Sequence, residues 1–432
     1  MEALFPSDPM KRRRIARWLG LLALALAVFL IARAMRKEGG VMELNRAFGA
    51  RFMAGEDPWF DPARGERVHG PYPPSLAWVA VPLASLPITL ARGLWASAQV
   101  AALIALYLLL RRRARADFPV VAEHMPVLFA VSLLLTSRFL LRDFAGGGGN
   151  LIYATLAFAG LEFALRNRAL PAGALLGFSL ALKPNLILLG LFLLLRRRFL
   201  AGASTLGFAL LFFSVPCVVH GPARYAELAR EWASGVIEYA ALEDLHHRPL
   251  IPAGLPAAED GMNQSLREAV QRLTRPAADT GAVDVQVISL SPAAAAWTAR
   301  IIALMLIAVA AVAALTAHSP RAEWFAMQVF FPLSLLVSPI TWKSHHAGLI
   351  PVFFAICAAA FERGRSARGW IAFLGLYWVI CNLLSEDVVG KQAKRALQAA
   401  SVVTWFDVAL VLALAWLARG AMERAGQSSR AR

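Results

Sequence analysis

The sequence predicts an all-α polytopic membrane protein: a bundle of about twelve transmembrane helices (range ten to thirteen) with interfacial helices in two long outer loops. Three observations predict it. First, 58% of the 432 residues are hydrophobic and the mean hydropathy is +0.56, against roughly 45–50% apolar residues in a soluble domain. Second, apolar runs of about 17 to 25 residues, the length that crosses a bilayer as a helix, recur from end to end. Third, the charge is gathered between them. The formal net charge is +16, and its arginines cluster at Arg12–Arg14, Arg111–Arg115, Arg166 and Arg168, Arg196–Arg198, Arg363–Arg368 and Arg419–Arg432. Clusters of that kind hold loops in the cytoplasm. The charge is therefore topology, and nucleic acid is excluded as a partner.

In chain order, residues 1–17 form a basic cytoplasmic N-terminus. The run 18–33 follows "KRRRIAR" without a small-residue cleavage site, so it reads as a retained span rather than a signal peptide. Further spans are expected at 90–110, 124–141, 150–165, 169–184, 186–197, 200–218, 298–316, 323–340, 347–362, 369–384 and 402–418. They give one transmembrane domain over 18–418, with 419–432 as a cytoplasmic basic tail. "PSLAWVAVPLASLP" (74–87) lies along the surface or re-enters. The three cysteines, Cys217, Cys357 and Cys381, sit in apolar runs and read as packing residues.

The outer face receives the long segments 34–74 and 219–297, longer than helix connection requires. In the first, Leu44, Phe48 and Phe52 recur at helical spacing, with Glu43, Arg46 and Arg51 on other faces. In the second, Tyr225, Leu228, Trp232 and Val236 share one side. Both read as amphipathic helices in the interface. His246 and His247 have no evident partner and read as surface residues.

Polar residues of unusual type converge on that same face. Lys183 and Lys343 stand at outer ends of spans, where an ammonium can balance a phosphate; the bland alternative is snorkelling to headgroups. His345 and His346 suit phosphate or sugar hydrogen bonds. As metal ligands they fail, because adjacent histidines diverge on a helix and no Cys or acid cluster completes a set. Asn150, Asn263 and Gln264 are amides suited to sugar hydroxyls, and Trp342 can stack on a sugar or serve the interfacial belt. Tyr72 precedes Pro73-Pro74, whose fixed φ pins the loop; a structural role is favoured there. Glu162 is four residues before Arg166 and can pair with it, and Asp407, alone in the last span, is either functional or paired with an arginine such as Arg138.

The motifs "GEDPW" (55–59), "PYPPSLAWVAVPLASLP" (71–87), "GGGGN" (146–150), "ALKPN" (181–185), "NQSL" (263–266) and "SPITWKSHH" (338–346) occur in the order seen in glycosyltransferase family 87, which the chain resembles over about residues 40–360. The resemblance implies a class C fold and transfer of a hexose, mannose among the candidates, from a polyprenyl phosphate to a lipid-linked or glycan acceptor. It implies an extracytoplasmic site in a bacterial plasma membrane, with membrane lipid around it. No cofactor or metal is expected. Lys183, Lys343, His345 and His346 would hold the donor phosphate; Asn150, Asn263, Gln264, Trp342 and Tyr72 would contact sugar or acceptor.

Inverting transfer calls for a carboxylate to take the acceptor proton. The family carries an Asp about sixteen residues before the Asp of its "GxDPY"-like motif, and counting back from Asp57 lands on Val41. Glu43 is then the leading base, with Asp57 and Glu38 as alternatives. The chain also departs from the family at Gly148, where a Gln usually precedes the Asn. Two other readings stay open: a transporter or flippase of a lipid-linked or anionic substrate, and a non-catalytic member that only binds the lipid-linked sugar.

Overall fold

The computed structural model describes residues 5–6, 8–61, 65–67, 72–241, 262–276 and 283–430. His246 and His247, with the other residues of the two long loops that fall between these ranges, lie outside the described residues. The described chain is helical apart from a two-residue antiparallel pairing, Phe60–Asp61 with Glu66–Arg67.

The helices, in order, are α1 (Pro9–Arg36), α2 (Val41–Ala54), α3 (Ala77–Ala84), α4 (Ile88–Asp117), α5 (Pro119–Glu123), α6 (Met125–Leu135), α7 (Ser137–Gly146), α8 (Asn150–Leu165), α9 (Ala169–Leu182), α10 (Leu188–Leu195), α11 (Phe199–Ser214), α12 (Cys217–Ala241) and α13 (Leu266–Thr274). They continue as α14 (Pro292–Thr316), α15 (Pro320–Val337), α16 (Ile350–Arg363), α17 (Arg368–Trp378), α18 (Glu386–Ala399) and α19 (Val402–Arg430).

Among the described residues, five helices are long and apolar enough to cross a membrane, and eight spans result if each bent pair counts as one. This is fewer than the twelve expected. The segments expected at 150–165, 169–184 and 186–197 are shorter apolar helices. The fourteen residues of α9 rise only about 21 Å, against roughly 30 Å of hydrocarbon. The run 124–141 is α6 and α7 meeting at 70°, and α11 meets α12 at 100°. The run 369–384 turns by 94° into α18. Helix α15, also expected to span, buries nearly every side chain inside the bundle. An apolar run records burial and does not distinguish lipid from protein, nor a straight helix from a bent one.

Contacts sort the helix ends into two groups. At one end Arg113 meets Glu162 through two bonds (3.1 and 2.9 Å) and Arg166 joins the same carboxylate at 3.1 Å, so the expected 162–166 pair forms. Arg196 and Arg198 share Glu323, and Arg321 pairs with Glu362. A fully buried Glu162 carboxylate is tolerable only because two guanidiniums satisfy it. The opposite end gathers the start of α8, the end of α9, the start of α4 and the turn 343–349.

At that second end α2 buries Met42, Asn45, Phe48, Gly49 and Phe52. The predicted Phe48 and Phe52 lie on the inner face, whereas Met53 is 52% exposed. Phe48, Phe52, Trp59, Leu76, Tyr225 and Leu228 form one apolar cluster. The two amphipathic helices α2 and α12 thus pack on each other through the short α3. Cys357 and Cys381 are buried and Cys217 half-buried, all free.

Candidate functional site

The site is built from the turn between α7 and α8. Gly147 and Gly149 take left-handed φ of 69° and 68°, which glycine adopts without a Cβ penalty, and the chain reverses within four residues. Asp143, fully buried, accepts from the Asn150 backbone (3.2 Å), the Asn150 side-chain amide (2.5 Å) and the Leu151 backbone (3.0 Å). It places a carboxylate on the N-terminal N–H groups of α8, where the helix dipole favours negative charge. A Cβ on Gly148 would stand 2.6 Å from Asp143 Oδ1 and 2.9 Å from Asn150 Nδ2. A larger residue at 148 would have to displace the ends of the Asp143 and Asn150 side chains from this arrangement.

Asn150 Oδ1 accepts from Lys183 Nζ. Lys183 is the extended C-cap of α9, and Pro184 behind it cannot continue the helix. Its ammonium lies 6.0 Å from the ring centroids of both Tyr72 and Tyr153, at the edge of cation–π range. Ser75 donates to the Ala181 carbonyl at 2.6 Å and ties the Tyr72 turn to the end of α9. Burial, and then the charge of Asp143, push the Tyr72 hydroxyl above its ordinary range, so it stays protonated at neutral pH.

Asn150, Tyr153, Lys183, Asn185 and His345 line one small cavity of about 20 Å³, room for a water molecule. The backbone N–H of Trp342 faces His345 Nδ1 at 3.4 Å. Nδ1 acting as acceptor puts the imidazole proton on Nε2. Asn185 Oδ1 is buried with no hydrogen-bond partner among the described residues. The cavity thus offers an ammonium, an imidazole, amides and a phenol, a set suited to anionic and hydroxyl groups. No carboxylate is among its lining residues; Asp143 stands behind Asn150.

The other predicted residues are placed differently. His346 turns away from its neighbour: it is fully buried, with Nε2 2.7 Å from Asp407 and Nδ1 3.3 Å from the Trp342 carbonyl. Asp407 therefore pairs with His346 and not with Arg138, which bonds the Cys381 and Leu384 carbonyls. Lys343, 6% exposed, feels the positive charges of Arg138, Arg142 and Lys394. Lys394 is paired with Glu386, whereas Arg138, Arg142 and Lys343 make no ion pair among the described residues.

Asn263 bonds the Pro339 carbonyl (2.9 Å) and the Thr341 and Ser265 backbone N–H groups (2.9 and 3.1 Å). Gln264 bonds Thr341 through its backbone and the Gln398 carbonyl through its side chain. The Asn263 amide braces the 338–342 turn, the Gln264 amide donates to the Gln398 carbonyl, and neither residue lines the cavity. Trp342 is half-buried and does not line the cavity.

Glu43 sits in the first turn of α2, accepts from Gly39 N at 2.8 Å and pairs with Arg92. Its side chain remains 44% exposed. Met42 beside it packs on the glycine turn, since a Cβ on Gly147 would meet it at 2.7 Å. Asp57 caps the Trp59 N–H at 3.0 Å, and Glu38 is exposed. Sequence reasoning missed Asp143, Asn185 and Arg142, and took Arg138 only as a partner for Asp407. Asn185 stands inside the motif "ALKPN" and Asp143 just ahead of "GGGGN"; nothing local marks Arg142.

The model of glycosyltransferase family 87 matches residues 71–339 of the chain, more than half its length. That stretch includes Tyr72, Asn150, Lys183, Asn263 and Gln264 and stops short of the 342–346 turn. No curated protein and no solved structure matches the chain.

Proposed function

Because this membrane protein belongs to glycosyltransferase family 87, we propose that it moves a hexose, mannose being the first candidate, from a polyprenyl phosphate to a hydroxyl of a lipid-linked or glycan acceptor. The observation that carries this reading is that Asn150, Lys183 and His345 line one cavity at the end remote from the arginine clusters. Under the positive-inside rule the arginine end is cytoplasmic and the cavity faces outward from the plasma membrane. Both ends of the described chain suit that orientation. Arg12 at the start of α1 pairs with Glu123, and α19 runs from Thr404, bonded to Gln264, to Trp416 beside Arg363.

A polyprenyl-phosphate sugar is an anion anchored in lipid, and it needs cations in excess of nearby carboxylates. Arg138 and Arg142 act electrostatically on Lys343 and, although Asp387 acts on Arg138, the three make no ion pair among the described residues; the phosphate sits there. Lys183, whose charge Asp143 partly offsets, joins His345 in orienting the sugar–phosphate oxygens. Asn150, Asn185 and Tyr72 serve sugar hydroxyls. His346, engaged by Asp407, acts by holding the turn that carries Lys343 and His345. In the reaction the acceptor oxygen attacks the anomeric carbon, the bond from that carbon to the phosphate oxygen breaks, and the acceptor proton passes to a carboxylate. Glu43 is the first candidate for that role, with Asp57 and Glu38 behind it. The positive charges offset the negative charge growing on the leaving phosphate, and no step calls for a metal ion.

The test is transfer from a polyprenyl-phosphate sugar by purified protein. Lys183→Ala and Lys343→Ala are each expected to lower the rate at least about 100-fold, roughly 2.7 kcal/mol of barrier. Unchanged transfer in both would refute the assignment.

A further inference from the structure

The arginine-rich end holds a second cavity, far larger than the first. Helix α1 begins at Pro9 and carries Lys11, Arg12, Arg13, Arg14 and Arg17 within its first turns, with no acid in the first turn. Cations at a helix N-terminus face the positive end of the dipole. Among the described residues Asp8 caps the helix at Met10 N and Glu123 pairs with Arg12, and these cations make no other ion pair. Beside this start lies an open cavity of about 340 Å³, lined by Arg12, Arg13, Glu123 and His124 together with prolines and short apolar side chains. That volume falls in the range of small-ligand pockets, roughly 300–1,000 Å³.

His124 is the second, independent sign. It lines the cavity, is 8% exposed, and has no hydrogen-bond partner for its ring nitrogens among the described residues. Phe5 and Phe361 hold its ring at centroid distances of 5.6 and 5.0 Å. An imidazole at the cavity wall that makes no hydrogen bond to the described residues can offer one to a ligand there. Trp18, Leu21, Leu22 and Leu24 on the same helix are each more than half exposed, the surface of a helix that faces lipid. Trp18 follows Arg12 by six residues, about 9 Å along the axis. The cavity therefore opens at the headgroup level of the adjoining leaflet, where tryptophans gather.

We propose that this cavity binds the phosphodiester of an anionic phospholipid, with Arg12 and Arg13 on the phosphate oxygens and His124 hydrogen-bonding the headgroup. Retaining the N-terminus in the cytoplasm explains the number of arginines. It explains neither the cavity nor the unpartnered histidine. The site lies at the opposite end from Lys183 and Lys343 and stands or falls independently of glycosyl transfer.

The experiment counts lipids retained by the delipidated full-length protein in detergent, by native mass spectrometry, after addition of phosphatidylglycerol, phosphatidylcholine or inorganic phosphate. The wild type is expected to retain phosphatidylglycerol about tenfold better than phosphatidylcholine, with inorganic phosphate failing to displace it. Arg13→Gln and His124→Phe should each lower that retention several-fold. Arg14→Gln with Arg17→Gln, which removes more charge outside the cavity, should leave it nearly unchanged. Arg13 makes no ion pair among the described residues, so its variant keeps the test valid should His124→Phe fail to fold. Equal retention of both lipids, or losses that follow total charge and not position, would overturn the proposal. Displacement by inorganic phosphate would overturn the lipid as its source.

Discussion

Asp143 and Asp407 are fully buried carboxylates, and neither announces its partner in the sequence. Asp143 turns its charge on the start of α8, a few residues away, whereas Asp407 crosses sixty-one positions to His346. That is why 138 and 407 suggest themselves as a pair from charge alone and the structure pairs otherwise. Removing one member of a buried pair typically costs about 3–5 kcal/mol. Asp407→Ala is expected to destabilise the detergent-solubilised protein by that amount and Asp407→Asn by less, since the amide still offers an oxygen to His346. Thermal unfolding measures both. Gly148→Gln drives a Cβ to 2.6 Å from Asp143 Oδ1, so the Asp143 and Asn150 side chains must shift. It is expected to cost about 1–3 kcal/mol, and an unchanged melting temperature would contradict the tight turn. At this scale the residue types were legible and their directions were not. His345 and His346 are adjacent, yet one lines the cavity and the other is sealed against Asp407.

Helices α8, α9 and α11 form the scaffold on which Asn150 and Lys183 meet, and their closeness depends on small residues. A Cβ on Gly173 would stand 2.1 Å from Ser204 Oγ, and one on Gly177 would stand 2.7 Å from the Ala209 backbone. These two glycines, four apart on α9, let α11 approach to backbone contact. Gly177→Leu is expected to push the helices apart and abolish transfer together with a cooperative melt, because Lys183 lies six residues along the same helix. Retention of both would contradict the packing. The amphipathic helices α2 and α12 were legible because their apolar spacing is local. Broken spans were not: the 70° bend between α6 and α7 falls at Thr136-Ser137-Arg138, a polar step too short to read as a break between the apolar residues on either side.

For the whole molecule, the sequence separated the arginine clusters between spans from the amides and lysines of the outer motifs, and the structure keeps these two groups at opposite ends of the bundle, with Arg92, Arg138 and Arg142 as single arginines at the cavity end and His124 at the other. What hydropathy overcounted was membrane crossings, since helices such as α15 are apolar to satisfy protein rather than lipid. The orientation is open to labelling. A cysteine at Lys391, exposed on α18, is expected to react with an impermeant thiol reagent added outside intact cells. One at Arg168, exposed at the arginine end, is expected to react only after permeabilisation. The native cysteines are buried or half-buried, which keeps the background low.

The most direct measurement is the location of a bound donor analogue, a polyprenyl phosphonate sugar with an uncleavable anomeric bond, in a cryo-electron-microscopy structure of the full chain. The account predicts the phosphonate between Lys343, Arg142 and His345, the sugar against Asn150 and Lys183, and one carboxylate close to the anomeric carbon. A phosphonate seated at the arginine-rich end, or a sugar out of reach of Lys183, would contradict it.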